Sequence, residues 1–302
     1  MLDCLSSEAI RLVDSSECAE RIGKGQATRY GGTAREACRA GHMLRKGVRV
    51  FGSVRQAADA DRLQKQLGTE RFTALQFDVT DEKAVQQAAE KVRSALQGRK
   101  LTALINNAGI GQIEPTAVCS LDKAKRVIDT NLTGTLICAQ AFLPLLGTDS
   151  TLTGPPGRIV QMSSVLGEAP VPYQAVYSAA KHGLEALTAC LRRELAPYGV
   201  KLVSIRPGPV SSEFWDKIDW TQYQGTPWER GMKNTTDLVS NSMKTAVSCE
   251  AVAGAVYLAV TEPNPRSVYH VISWDGRVAF KLLSSLPPWL VDFFWIRTLG
   301  RP

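Results

Sequence analysis

The sequence Val48-Arg-Val-Phe-Gly-Ser-Val54 is the first of three short apolar runs that longer amphipathic stretches separate. The other two are Phe72-Thr-Ala-Leu-Gln-Phe77 and Leu101-Thr-Ala-Leu-Ile105. Between these two, apolar residues recur at helical spacing: Val85, Ala88, Val92 and Leu96. Strands that alternate with helices in this rhythm predict βαβ units. We therefore expect an α/β fold, a doubly wound parallel sheet with helices on both faces.

Composition favours one globular domain. The chain has 302 residues, of which 44% are hydrophobic and 22% are charged, close to globular averages. The net charge of +7 is spread among interleaved acids and bases, which is typical of a solvated surface and not of a nucleic-acid interface. Seven scattered cysteines without a C-x-x-C pair predict neither a disulfide framework nor a metal site. We expect a cytoplasmic protein, peripheral to a membrane at most.

Two later stretches combine a hydroxyl, a phenol and an amine: Gln161-Met-Ser-Ser-Val-Leu-Gly167 and Val176-Tyr-Ser-Ala-Ala-Lys-His182. Tyr177 and Lys181 are one helical turn apart, so their side chains project from the same side. For a tyrosine to act as acid or base at neutral pH, its pKa must fall by roughly 3 units, about 4 kcal/mol. A neighbouring ammonium favours the phenolate. Ser164 can then orient a substrate oxygen by hydrogen bonding.

Three further motifs stand in order around this pair: Leu104-Ile-Asn-Asn-Ala-Gly109, Asp129-Thr-Asn-Leu-Thr-Gly134 and Ile205-Arg-Pro-Gly-Pro-Val210. Together the motifs resemble the short-chain dehydrogenase/reductase family, over roughly residues 42–300. The resemblance implies a single-domain, Rossmann-like sheet and hydride exchange between a nicotinamide cofactor and a carbonyl or secondary alcohol. It also implies a catalytic tetrad, in which the asparagine supports a proton-relaying water: Asn131, Ser164, Tyr177 and Lys181.

The nature of the cofactor is indicated by Arg55. No carboxylate at the end of the first apolar run could accept the ribose 2′-hydroxyl of NAD(H), whereas an arginine suits a 2′-phosphate. NADP(H) is therefore favoured over NAD(H), and the alternative is a solvated loop arginine. The resemblance implies these further cofactor-binding residues: Asp78, Val79, Asn106, Asn107, Ala108, Gly109, Tyr177, Lys181, Pro207, Gly208, Val210 and Ser212.

The substrate class is implied by the branch of the family. The stretches 51–55 and 177–182 and an aromatic-rich tail resemble hydroxysteroid and retinol dehydrogenases, which implies a lipophilic substrate. The family is commonly dimeric or tetrameric, so the resemblance implies a homodimer or homotetramer. The apolar tail, residues 280–296, predicts packing on the body or on a dimer partner, or shallow membrane contact.

Residues 1–42 depart from the family pattern, and we predict an atypical, irregular segment there and the dehydrogenase domain in residues 43–302. The glycine-rich T-G-x-x-x-G-x-G turn that meets the cofactor pyrophosphate is missing or replaced. Either Ala9-Ile-Arg-Leu-Val13 fills the central strand position, or these residues reflect a wrong start, missed splice or shifted frame. The abrupt start of the match near Met43 favours the second account. The rival function is a non-catalytic binding or scaffold protein that kept the tetrad and lost the phosphate loop.

Overall fold

The computed structural model describes residues 10–14, 34–67, 70–211 and 220–300. Its centre is one seven-stranded sheet in the order β3-β2-β1-β4-β5-β6-β7. The strands are β1 Ile10–Asp14, β2 Arg49–Val54, β3 Phe72–Gln76, β4 Ala103–Asn106, β5 Arg158–Met162, β6 Lys201–Pro207 and β7 Val268–Val271. The pairs β2–β3, β4–β5, β5–β6 and β6–β7 are parallel. The doubly wound α/β fold predicted from the sequence is confirmed.

Helices cover both faces of the sheet. They are α1 Ala34–Arg45, α2 Ala57–Leu67, α3 Glu82–Leu96, α4 Leu121–Ile128, α5 Gly134–Leu143, α6 Ala175–Glu194, α7 Glu229–Met243, α8 Cys249–Thr261, α9 Trp274–Ser285 and α10 Pro288–Leu299. Buried side chains of α3 and α5 pack on one face, and those of α1, α2 and α8 pack on the other. Asp81 caps α3 by accepting a hydrogen bond from the Ala84 N–H at 3.0 Å. Because these helices cover the faces of the sheet, the carboxyl ends of the strands are left free to form a site.

The central strand runs in the opposite direction to the one predicted. β1 is antiparallel to both neighbours: Ile10 lies opposite Asn106, and Asp14 lies opposite Arg49. Without a strand here, β2 and β4 would each expose a row of backbone N–H and C=O groups inside the protein. An antiparallel ladder pairs these groups as well as a parallel one does. The upstream run thus fills the gap, but the expectation of a parallel strand there is wrong.

The boundary predicted at residue 42 stays a prediction, as does the gene-model explanation. The strand β1 lies within the segment predicted to be irregular, and helix α1 runs across the predicted boundary. The structure therefore continues regular elements into that segment at these two places.

The segment from Leu121 to Thr148 is helical but is interrupted by two π turns. Between α4 and α5 the residues Asp129–Thr133 form a π-helical turn, in which the Gly134 N–H donates to the Asp129 carbonyl. A second π turn, Pro144–Thr148, follows α5. Single π turns inside helices shift the phase of the side chains that follow and often occur at functional sites. The first of these turns contains Asn131.

The last helix, α10, packs on α7 of the same chain, and both α9 and α10 have exposed apolar side chains. Asn234 of α7 donates its amide to the carbonyls of Thr298 at 3.3 Å and Leu299 at 2.9 Å, which fastens the end of α10. The exposed apolar side chains of α9 and α10 are Trp274, Val278, Leu282, Trp289, Phe293, Phe294 and Ile296. Within the described part of the chain, no helix has both the length and the apolar character needed to cross a bilayer.

Candidate active site

The carboxyl ends of β4, β5 and β6 lie side by side and bring three of the sequence motifs together. Asn106 of β4 is in register with Gln161 of β5, and Met162 is in register with Ile205 of β6. The segments that leave these strands are Asn107–Gly109, Ser163–Ser164 and Gly208–Val210. In parallel sheets, ligands bind in the crevice beyond these ends. The site predicted from the sequence is therefore assembled at one edge of the sheet.

Lys181 is fixed beneath Tyr177. The lysine is only 4% exposed, and its ammonium donates a hydrogen bond to the Met162 carbonyl at 2.8 Å. The same Nζ lies 5.7 Å from the centroid of the Tyr177 ring, on the preceding turn of α6. An ammonium this close to a phenol favours the phenolate form, and burial weakens the screening of that interaction. The predicted tyrosine–lysine pair is present in the structure.

Ser164 begins a short 3₁₀ turn, Val165–Gly167. Its Oγ accepts a hydrogen bond from the Leu166 N–H at 3.2 Å, so the hydroxyl is oriented as an acceptor toward its own turn. A serine hydroxyl can donate its hydrogen while it accepts another, and that hydrogen suits a substrate oxygen. A Cβ on Gly167 would come within 3.1 Å of the Lys181 carbonyl, so the turn packs directly on α6.

Asn131 is fully buried and holds the loop after β4. Its Oδ1 accepts from the Ile110 N–H at 2.8 Å, and its Nδ2 donates to the Ile110 carbonyl at 2.7 Å. A Cβ on Gly109 would lie 2.9 Å from Asn131 Oδ1 and 3.5 Å from Lys181 Nζ. The Gly109 backbone is thus in contact with both side chains. Asn131 therefore holds this loop in place. The role of Asn131 in a proton relay stays a prediction.

Glycine at position 134 is explained by Val79. A Cβ on Gly134 would be 2.7 Å from Val79 Cγ2, closer than any relaxed contact. Val79 follows β3 together with Asp78, whose Oδ1 accepts from the Thr80 N–H at 2.9 Å and hydroxyl at 2.7 Å. The two ends of the Asn-x-x-Gly motif therefore have different contacts. Asn131 holds the loop after β4, and Gly134 lets α5 approach Val79, in the segment predicted to bind the cofactor.

The remaining predicted cofactor residues lie at the expected strand ends. Arg55 is exposed at the carboxyl end of β2. The Gly208 N–H donates to the Val271 carbonyl at 3.0 Å, which places the segment after Pro207 beside β7. Val210 is buried and forms a β-bridge with Val247. Ser212 lies outside the described residues.

The side chain of Asn106 forms hydrogen bonds within the protein. Its side-chain amide donates to Gln161 Oε1 at 3.0 Å and, more weakly, to the Thr135 carbonyl at 3.4 Å. These bonds tie β4 to β5 and α5 below the crevice. At the end of the Asn-Asn-Ala-Gly motif, a Cβ on Gly109 would meet side chains of two tetrad residues, Asn131 and Lys181. The contact that the resemblance implies between Asn106 and the cofactor stays a prediction.

The reversed direction of β1 changes where a phosphate could be bound. In the family pattern the glycine-rich turn follows the central strand at the crevice edge. Here Ile10 lies beside Asn106 at that edge, whereas Asp14 lies beside Arg49 at the far edge. The carboxyl end of β1 therefore lies at the edge opposite the tetrad. Arg55 and Asp78 follow β2 and β3, whose carboxyl ends lie at the same edge of the sheet as the tetrad.

Comparison with known proteins identifies the family. Residues 30–222 match the family model described as short chain dehydrogenase. The chain belongs to the short-chain dehydrogenase family. This short-chain dehydrogenase is therefore an oxidoreductase, as the motifs indicated.

Two relatives and one solved structure are similar to this chain over most of its length. It is 33% identical over 248 residues to an NADPH-dependent 3-dehydrocapnine reductase from Ornithobacterium rhinotracheale, covering 82% of this chain and 86% of the relative. It is 30% identical over 271 residues to a 17-beta-hydroxysteroid dehydrogenase type 6 from Bos taurus, covering 85% and 83%. The solved structure of ElxO with NADP bound superposes with a TM-score of 0.64 at 25% identity, covering 78% and 90%.

A charged cluster that the sequence did not predict lies behind the tetrad. Arg206 forms ion pairs with both Glu168 and Glu185, and His270 of β7 contacts Glu168. His270 is half-buried at the edge of this cluster. One sequence signal was available, because Glu185 lies one helical turn after Lys181 and so shares its side of α6.

Proposed function

We propose that this protein is an NADP(H)-dependent oxidoreductase that interconverts a carbonyl and a secondary alcohol on a lipophilic substrate. The observation that carries the proposal is the buried ammonium of Lys181 held beneath the Tyr177 ring by the Met162 carbonyl. A lysine without a functional partner is rarely buried to this extent, because its charge is costly to desolvate.

Each tetrad residue has one task in this proposal. Tyr177 gives its hydroxyl proton to the substrate oxygen during reduction and takes it back during oxidation. The Lys181 ammonium stabilises the phenolate that remains. Ser164 donates its hydroxyl hydrogen to the same substrate oxygen, and Asn131 keeps the Gly109–Ile110 loop in place. When bound, the nicotinamide would supply or accept the hydride.

Support for NADP(H) comes from charge and from relatives. Arg55 is an exposed cation at the carboxyl end of β2, and a guanidinium binds phosphate by paired hydrogen bonds. One relative is named as NADPH-dependent, and one structural neighbour contains NADP. Asp78, Val79 and the residues after β4 and β6 would hold the rest of the cofactor. The lipophilic substrate is supported by the hydroxysteroid dehydrogenase relative.

A direct test measures binding and turnover separately. NADPH fluorescence is titrated with purified protein, in parallel with NADH, and initial rates are then measured with a panel of ketones, steroids and retinoids. The proposal predicts saturable NADPH binding and turnover with at least one apolar substrate. If neither is found, the enzyme interpretation falls and the non-catalytic binding or scaffold protein remains.

The predicted homodimer or homotetramer, the cytoplasmic location and membrane contact through the tail remain proposals. Light scattering after size exclusion would give the oligomeric state. Sedimentation with liposomes would show whether the exposed apolar faces of α9 and α10 bind lipid.

A further inference from the structure

A cluster of charged side chains lies where β6 and β7 meet α6, behind the tetrad. At its centre is Arg206, whose side chain is 14% exposed. Its guanidinium donates to both oxygens of Glu185, from Nε to Oε1 at 2.8 Å and from Nη2 to Oε2 at 2.6 Å. Its third nitrogen, Nη1, donates to Glu168. The other oxygen of Glu168 lies 2.8 Å from His270 Nε2. One guanidinium therefore binds two carboxylates from different elements.

Both carboxylates belong to the segments that carry the tetrad. Glu185 lies one turn after Lys181 on α6. Glu168 ends the 3₁₀ turn that starts at Ser164, and its N–H donates to the Val165 carbonyl at 3.0 Å. A Cβ on Gly167 would lie 3.2 Å from Glu185 Cγ, so the turn and the helix are already in contact at this place.

The cluster is strongly bonded. Burial raises the pKa of Glu185, but hydrogen bonds from Arg206 and Ser204 outweigh it, so the pKa lies below its ordinary value. The Ser204 hydroxyl donates to Glu185 Oε1 at 2.6 Å. Glu185 is therefore ionised at neutral pH. A planar guanidinium bound at two edges fixes direction as well as distance, which a lysine cannot do.

We propose that Arg206 is a positioning residue for the reaction: by binding Glu168 and Glu185 at once, it holds the Ser164 turn against the part of α6 that presents Tyr177 and Lys181. The proposal rests on the proposed function, since it gives Ser164 and Tyr177 a common substrate oxygen. Proton transfer and hydrogen bonding to that oxygen require both donors to keep one mutual geometry. Arg206 supplies the rigid connection between them.

Stability alone cannot test this role, because buried ion pairs contribute little or even unfavourably to it. The test substitution is Arg206→Lys, which keeps the positive charge but loses the planar guanidinium that binds both carboxylates. We expect kcat to fall by about tenfold to a hundredfold, since small misplacements of reacting groups have effects of that size. The NADPH dissociation constant should stay at the wild-type value. The pH of half-maximal kcat should move, because the tyrosine–lysine geometry changes.

The matched control is Arg158→Lys. Arg158 is also half-buried and donates to two acceptors, the carbonyls of Ala259 at 2.9 Å and Glu262 at 2.8 Å. It begins β5, at the end of the sheet away from the tetrad. This variant should lose stability and keep the wild-type kcat and pH profile. Equal losses of kcat in both variants, with unchanged pH profiles, would overturn the positioning role.

A second measurement does not depend on activity. Hydrogen exchange of the 164–168 turn should be faster in Arg206→Lys than in the wild type, and unchanged in Arg158→Lys. If the wild-type protein turns over no substrate, the proposed function fails while this comparison still decides whether Arg206 holds the turn. Wild-type exchange in that turn for Arg206→Lys would refute the inference.

Discussion

Substituting Gly134 by alanine should destabilise the protein by steric conflict with Val79. The new Cβ would lie 2.7 Å from Val79 Cγ2 and 3.1 Å from the Asp129 carbonyl, so the helix or the valine must move. Overpacking of this kind costs about 1–3 kcal/mol. The backbone at Gly134 is helical, with φ −61° and ψ −34°, so alanine also recovers about 1 kcal/mol of helix propensity. The net loss is about 0–2 kcal/mol.

Gly254 is the matched control. It lies within α8, and a Cβ there would meet nothing within 4 Å. Gly254→Ala should therefore gain about 1 kcal/mol from propensity alone. The difference between the two variants removes the propensity contribution and leaves the steric one, about 1–3 kcal/mol.

Urea unfolding followed by circular dichroism measures both free energies of unfolding. The double substitution Gly134→Ala with Val79→Ala removes the clashing methyl groups. It should show a favourable coupling energy of about 0.5–3 kcal/mol relative to the two single variants. Equal stability of the Gly134→Ala and Gly254→Ala variants, together with additive effects in the double variant, would refute the close approach of α5 to Val79.

Three further outcomes are expected. Tyr177→Phe should abolish turnover and leave NADPH binding largely intact, because it removes the transferable proton; turnover within about tenfold of wild type would assign the proton to another group. Arg55→Asp should shift preference toward NAD(H), because it replaces a phosphate partner with a repelling charge; unchanged selectivity in paired titrations would count against that contact. Burial raises the pKa of the Cys138 thiol well above its usual range, so alkylation of the native protein followed by mass spectrometry should label exposed Cys190 and spare Cys138; equal labelling would contradict this burial.

Most of the fold after Met43 could be predicted because hydrophobic periodicity reports which face of an element is buried. The tetrad could be placed as well, since parallel strands bring their carboxyl ends to one edge. The direction of β1 could not be predicted, because an apolar strand pattern reads the same in either direction. The π turn at Asn131 was missed since five residues are too few to distinguish its period from that of an α-helix.

The Arg206 cluster was missed for another reason. Its carboxylates lie far from Arg206 along the chain, and only the packing of α6 on β6 brings them together. A single sequence carries no signal for such a contact beyond the helical spacing of Glu185.

The sheet is held together at its centre by one short strand, β1. β2 and β3 form one block, and β4 to β7 form another; within the described strands the backbone ladders of the two blocks join only through β1. During folding, β1 can pair with β2 and β4 only after these segments, distant in sequence, have met, and such pairing is slow in β topologies. Loss of β1 from the sheet would expose the edges of β2 and β4 together. The cooperativity of unfolding would then depend on β1, because this strand joins the two blocks.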